Sequence, residues 1–133
     1  MAEIIYLTVQ DMLWINLQVT RKVNSFEFMP LEQGTFYQYA YGSAQGVIPQ
    51  AIRFYEGFLK NAPFAEGNET TAKVGFLSFL RLNGYAFQAS DPFDAKRIAE
   101  SATLDEGEHH STHPETQTVI ASVLEDLGIY ANA

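Results

Sequence analysis

The chain has 133 residues, 47% hydrophobic and 14% aromatic, with 8 basic against 16 acidic side chains and a formal charge of -8. That length builds one core rather than two, and the acidic balance argues against nucleic acid or anionic membrane as a partner. Both are bound by clustered cations, whereas the basic residues here are scattered apart from Arg21-Lys22 and Lys96-Arg97. Cysteine is absent, which removes disulfides, thiolate nucleophiles and cysteine-based zinc sites.

The first residues lack a basic region followed by an apolar one, and no apolar run approaches the roughly 18 residues that span a bilayer. A soluble, cytoplasmic protein is expected. Thr8 followed by Asp11 has the spacing of a capping box, so a helix should begin near Val9 and fray near Asn24. Its apolar stripe is Met12, Ile15, Val19 and Val23, widened by Leu13 and Trp14, with Gln10, Gln18 and Arg21 on the other side.

From Ser25 to Gly46 no clean period survives, so the segment reads as loop with room for a short helix. Its aromatic cluster of Phe36, Tyr37, Tyr39 and Tyr41 is expected to pack on the domain in preference to forming a recognition surface. A second helix is expected over Ile48 to Asn61 through Ile48, Ile52, Tyr55 and Leu59, with Pro49 in its first turn. After a break at Ala62 to Gly67, Asn68 is a suitable N-cap for a run to about Leu82 that is apolar nearly all round, the pattern of a central buried helix. Asn83-Gly84 stops it.

Tyr85 to Ala89 reads as one short strand. A helix follows from Pro92 capped by Asp91, then a polar loop over Asp105 to His113. A last helix runs from Pro114 through Val119, Val123 and Leu127 to Gly128, with Ile129-Tyr130 folding back onto the core. The class is all-α, in a single domain over residues 1–133.

The stretch Ala62-Pro63-Phe64-Ala65-Glu66-Gly67-Asn68-Glu69-Thr70-Thr71 resembles the active-site motif of the Fic/Doc family, in its death-on-curing-like branch. That motif reads His-Pro-Phe-x-Asp/Glu-Gly-Asn-x-Arg/Lys, followed by Thr-Ala, an apolar helix and commonly Asn-Gly-Tyr. Pro63, Phe64, Glu66, Gly67, Asn68, Thr71 and Ala72 match in register, as do Phe79-Leu80 and Asn83-Gly84-Tyr85. More weakly, Tyr6-Leu7-Thr8 opens a helix as in that branch, and Ile15-Asn16 sits where it often has Ile-His.

The resemblance implies a compact helical bundle. It also implies transfer of a nucleotidyl or phosphoryl group from a nucleoside triphosphate to a protein hydroxyl: a histidine base, an acid holding Mg²⁺, a Gly-Asn helix N-terminus cradling phosphates, and a trailing cation. By position, Ala62 replaces the histidine and Thr70 the cation, so the catalytic pattern is degenerate. Phe64, Glu66, Gly67 and Asn68 would be a vestigial ATP and Mg²⁺ cradle.

Among these, Glu66 would be the metal ligand, although a single carboxylate without a phosphate bridge is a poor magnesium site and a solvated loop carboxylate is the plainer reading. Phe64 is expected to anchor the loop in the core and Asn68 to cap the helix. Glu69 is positioned to fill the anion site with its own carboxylate. His109, His110 and His113, beside Glu106, Glu108 and Glu115, read as a polar loop ahead of a metal site, since no helix fixes their geometry.

The expectation is therefore a catalytically silent Fic/Doc-like protein, without cofactor, that binds a protein partner or forms a homo-oligomer. In a related reading it is a toxin-antitoxin remnant whose groove takes an antitoxin-like segment. The alternative is an active transferase using a base from outside the motif, such as one of the three histidines.

Overall fold

The computed structural model describes residues 3–89, 92–104 and 115–129. Among them are six helices, α1 (Val9–Thr20), α2 (Phe28–Phe36), α3 (Val47–Asn61), α4 (Asn68–Leu82), α5 (Ala95–Ser101) and α6 (Thr116–Asp126), so the class is all-α. The short strands β1 (Tyr85–Ala86) and β2 (Thr103–Leu104) pair antiparallel, with Tyr85 opposite Leu104. The strand at Tyr85 is thus shorter than its sequence suggests, and its partner carries no signal of its own.

Helix α4 is the axis. Ten of its fifteen residues are buried, and α1, α3, α5 and α6 all pack on it. Gly75 makes this approach possible: a Cβ there would lie 2.9 Å from Met12 Cε and 3.0 Å from the Phe54 ring, closer than real Cβ contacts come. On α3 the deepest residues are Ala51, Phe54 and Phe58, while the expected stripe of Ile48, Ile52, Tyr55 and Leu59 forms its half-buried flank.

Local signals held where local physics decides. Thr8 Oγ1 accepts from Asp11 N at 3.1 Å and Asp11 Oδ2 accepts from Thr8 N at 2.8 Å, completing the capping box. The same helix ends earlier than its apolar period implies, at Thr20, because Arg21 turns left-handed with φ 63°. Val23 consequently leaves the stripe and is 89% exposed, whereas Gln18, expected outside, is buried.

Helix α2 occupies the middle of the segment expected to be mostly loop. Pro30 sits in its first turn, where no intrahelical donor is lost, and Gly34 lets α3 come close. The aromatic cluster corrects its expectation: Phe36, Tyr39 and Tyr41 are exposed. Leu31, Gly34 and Thr35 take the inner face of α2, which turns Phe36 outward. Tyr37 is half-buried over Gly57, and the Arg53 guanidinium lies between the Tyr37 and Tyr41 rings at 4.5 and 4.9 Å.

Two further corrections concern helix starts. Asp94, not Asp91, caps α5, its side chain accepting from Arg97 N at 3.1 Å; Asp91 lies outside the described residues. Helix α6 begins at Thr116, and Pro114 and Tyr130 also lie outside the described residues. Ile129 does turn back, donating its N–H to Leu124 O at 2.7 Å.

The extended N-terminal segment is tied down by side-chain amides. Leu7 N donates to Gln38 Oε1 at 2.7 Å, and Gln38 Nε2 donates back to Leu7 O at 2.6 Å. Asn83 repeats the pattern on Ile5, at 2.7 and 2.9 Å. Each amide supplies one donor and one acceptor to an extended residue, as a neighbouring strand would.

Gln38 is fully buried. Gln38→Leu leaves the Leu7 N–H and C=O without partners and should lower stability by about 2–4 kcal/mol. Gln38→Glu keeps an acceptor, faces Leu7 O with a second oxygen, and should be at least as damaging at neutral pH. Urea unfolding midpoints measure both, and a loss below about 1 kcal/mol for either contradicts the clamp's importance.

Candidate functional site

The motif-like stretch spans the turn from α3 into α4. At its start Ala62 adopts φ 40° and ψ 61°, a left-handed conformation that costs a non-glycine residue on the order of 1 kcal/mol. Ala62 is exposed, while Pro63 and Phe64 are buried. Phe64 is 5% exposed and packs near the Phe58 and Phe26 rings, as its anchoring role required.

A short antiparallel bridge joins the loop to the chain ahead of α2. Glu27 N donates to Pro63 O and Ala65 N donates to Ser25 O, each at 3.0 Å, on either side of the Phe26–Phe64 pair. Asn68 corrects its expectation. It is the first residue of α4 rather than its cap: its Oδ1 accepts from Phe64 N at 2.9 Å and its Nδ2 donates to Phe64 O at 2.8 Å. Gly67 is the N-cap, with φ 81° and no side-chain cap bond.

Asn16 holds the other side of the loop. It is buried on α1, and its Nδ2 donates to Glu66 O at 3.0 Å and to Thr71 Oγ1 at 3.1 Å. Its Oδ1 accepts from Asn24 Nδ2 at 2.9 Å, and Asn24 Nδ2 also reaches Thr20 Oγ1 at 2.8 Å. A Cβ on Gly67 would lie 2.4 Å from Thr20 Cγ2. Gly67 thus answers two constraints at once, a left-handed backbone and contact with α1.

Charges around this helix start are already paired. Lys22 Nζ lies 2.7 Å from Glu66 Oε1, with both side chains about half exposed, a geometry that contributes at most about 1 kcal/mol. Glu69, expected to fill the anion site, instead points along its own helix to Lys73 at 3.3 Å, the usual i,i+4 pairing. Glu66 faces an ammonium group where a metal ligand would face a cation. Among the described residues no group of three or more acidic or histidine side chains is placed to hold a metal, and His109, His110 and His113 lie outside the described residues. Thr70 is half-buried in the first turn of α4.

Beside the loop lies a concave apolar groove of about 330 Å³, lined by Leu13, Trp14, Leu17, Val23, Phe26 and Phe64, with Asn16, Asn24 and Lys22 on its polar margin. The volume is at the lower end of ordinary ligand sites. Sequence reasoning placed Leu13, Trp14 and Val23 on a core-facing stripe. The available signal was the stripe's excess width, more apolar surface than one helix face buries.

Outside the groove lining, Tyr55 of α3 meets the Phe76 and Phe93 rings at 5.7 and 5.4 Å, with Lys73 Nζ 5.2 Å from the Phe93 ring centre. Burial, and secondarily the Glu69 carboxylate, pushes the Tyr55 hydroxyl above its ordinary pKa.

Comparison with protein-family models, with curated proteins and with solved structures finds no match to this chain.

Ala62→Gly should relieve the left-handed strain and raise stability by about 0.5–1 kcal/mol, while Gly67→Ala should lower it by about 2–4 kcal/mol. Paired denaturant melts decide, and equal effects would contradict the loop geometry. For Tyr55, the raised folded pKa contributes stability that is fully present below the unfolded value near pH 10 and is lost as pH rises through the folded one. Stability should therefore fall more steeply above about pH 10 in the natural protein than in Tyr55→Phe.

Proposed function

We propose that this chain is a degenerate Fic/Doc-like protein without nucleotidyl or phosphoryl transfer activity, which acts by taking a segment of a protein partner into the groove beside its motif loop. The observation that carries the reading is a division of labour in that loop. Pro63, Phe64, Gly67, Asn68 and Asn16 each make a contact that shapes it, whereas Ala62 presents a methyl group and Thr70 a neutral hydroxyl where a proton acceptor and a cation would be needed.

Affinity for nucleotide meets the same obstacle. A triphosphate at the start of α4 would approach Glu66 and Glu69, and the two nearby ammonium groups are each engaged by one of those carboxylates. Releasing them gains nothing in net charge, because each cation leaves a carboxylate behind.

The groove supports the binding half of the proposal. Its walls are aromatic and aliphatic, and Val23, Phe26 and Leu17 carry exposed apolar surface into its mouth. An antitoxin-like segment is one occupant of this kind, as is a peptide from an unrelated partner presenting one or two apolar anchors.

Two measurements test the halves separately. Millimolar ATP with Mg²⁺ should leave the thermal midpoint unchanged and label no protein from radiolabelled nucleotide; a saturable shift at sub-millimolar ATP overturns the inactive reading. Trp14 is the sole tryptophan and lines the groove, so its emission reports occupancy. An apolar dye such as anilinonaphthalene sulfonate should quench it. Leu17→Glu with Val23→Glu should abolish that response while moving the melting point by no more than about 2 °C. An unchanged response in the double variant removes the groove from the account.

A further inference from the structure

Among the described residues nine large hydrophobic side chains are exposed, and eight lie between Leu17 and Tyr41. Three of them, Leu17, Val23 and Phe26, line the groove; the rest belong to α2 and the turns after it. Single exposed apolar residues are ordinary on a protein surface, but concentration in one stretch marks an interaction site.

On α2 they form a face. Met29 and Phe36 are seven residues apart and stack two turns from each other, with Gln33 between them and Glu32 on one edge beside Phe28. Met29 is 58% exposed and Phe28 56%, while Leu31, Gly34 and Thr35 bury the opposite side. Beyond the helix the apolar line continues, since the Phe36 and Tyr39 rings lie 5.7 Å apart and the Tyr39 ring packs at 4.3 Å from that of Tyr6, tilted by 40°.

The charge pattern says what fits there. Between residues 17 and 46, Arg21 and Lys22 balance Glu27 and Glu32, so the formal charge of -8 resides wholly outside that stretch. The face is the neutral part of a strongly acidic molecule. At its edge, the carboxylates of Glu27 and Glu32 have no ion-pair partner among the described residues. An apolar strip edged by unpaired carboxylates, within a negative field, suits an apolar strip edged by cations.

We propose that the outer face of α2 docks a basic amphipathic helix of another protein. The apolar stripe of that helix lies along Met29, Phe36 and Tyr39, and its lysine or arginine side chains reach Glu32 and Glu27. The contact is a helix laid on a helix, with specificity set by the position of the cations relative to the stripe. The proposal rests on α2 with the flanking Glu27 and Tyr39, and needs neither the resemblance of the motif loop nor an occupied groove.

The probe is a fluorescein-labelled leucine/lysine amphipathic helical peptide of about 18 residues, five helical turns, with a leucine/glutamate peptide of identical apolar pattern beside it. Anisotropy is read in about 150 mM salt, where diffuse attraction to an acidic protein is screened. The lysine peptide should bind saturably and the glutamate peptide about tenfold or more weakly.

Met29→Ser with Phe36→Ser should weaken the lysine peptide by about tenfold or more, and Glu27→Gln with Glu32→Gln by several-fold. Leu17→Ser with Val23→Ser, in the groove and without a change of charge, should bind it as the natural protein does, so a failure here is separate from a failure of the groove. All substituted positions are at the surface, and circular dichroism melts verify that each variant folds.

Absence of binding, undiminished binding by the serine variant, or equal binding of both peptides overturns the proposal. So does a dimer in sedimentation that the serine variant abolishes, which would assign the face to a second copy. Adsorption to phosphatidylcholine vesicles lost in that variant would assign it to lipid, with the same consequence.

Discussion

A primary carboxamide carries one acceptor and two donors at the spacing of a peptide unit, so an asparagine or glutamine can bond both ways to an extended stretch of backbone. This protein uses that property on three residues that lie outside its helices. Asn83 holds Ile5, Gln38 holds Leu7, Asn68 holds Phe64, and Asn16 donates to Glu66 O. Buried backbone polar groups must find partners, and the described residues, with six helices and a two-residue ladder, have few strands to offer. The amides substitute for a sheet. They also connect sequence-distant parts, since Asn83 lies 78 residues from Ile5 and Asn16 lies 55 from Thr71. Gln50 extends the chain by donating to both Gln38 O and Tyr6 Oη, leaving its own buried Oε1 as one of two buried side-chain polar atoms without a partner among the described residues.

How much of this was legible follows from the range of each interaction. The Thr8–Asp11 box spans four residues, and the sequence shows it directly. Helix α4 is legible because its apolar positions surround it, which only a central helix tolerates. Helix α2 is not, because its amphipathicity is inverted at Phe28, Met29 and Phe36, and its inner face depends on glycine at Gly34 meeting Phe58. Asn68 has the identity of a cap and the placement of a clamp. Both uses satisfy backbone near a helix start, and only the path of the loop back to Phe64 selects between them. Glu69 likewise had two electrostatically sensible partners, the helix amides and Lys73, and the exposed i,i+4 geometry places it with Lys73.

In the motif-like loop, residue type and residue role separate cleanly. Glycine at position 67 is required twice over, by its φ and by Thr20. Alanine at position 62 is not required by its conformation: a left-handed residue closing a helix is ordinarily glycine or asparagine, and Ala62 is exposed. The turn geometry at Ala62 is therefore imposed from its surroundings, by Pro63, by the bridge to Ser25 and Glu27, and by the buried Phe64 ring. A loop over-determined in this way holds its shape with little help from the side chain at position 62.

The groove and the loop share parts. Asn16 and Asn24 sit on the groove's polar margin, and the same two side chains pass hydrogen bonds from Thr20 through to Glu66 O and Thr71. Phe64 is at once the loop's anchor and a wall of the groove, and Phe26 bridges to it while lining the opposite side. The groove therefore cannot be reshaped independently of the loop, because a displacement of Asn24 or Phe26 disturbs bonds that fix Glu66 and Pro63. The shared set consists of hydrogen bonds to backbone, hydrogen bonds among the Asn16, Asn24, Thr20 and Thr71 side chains, and aromatic packing contacts, and none involves the side chains at positions 62 and 70. That independence is the physical reason the shape of the groove depends on the loop's framework and not on the side chains at positions 62 and 70.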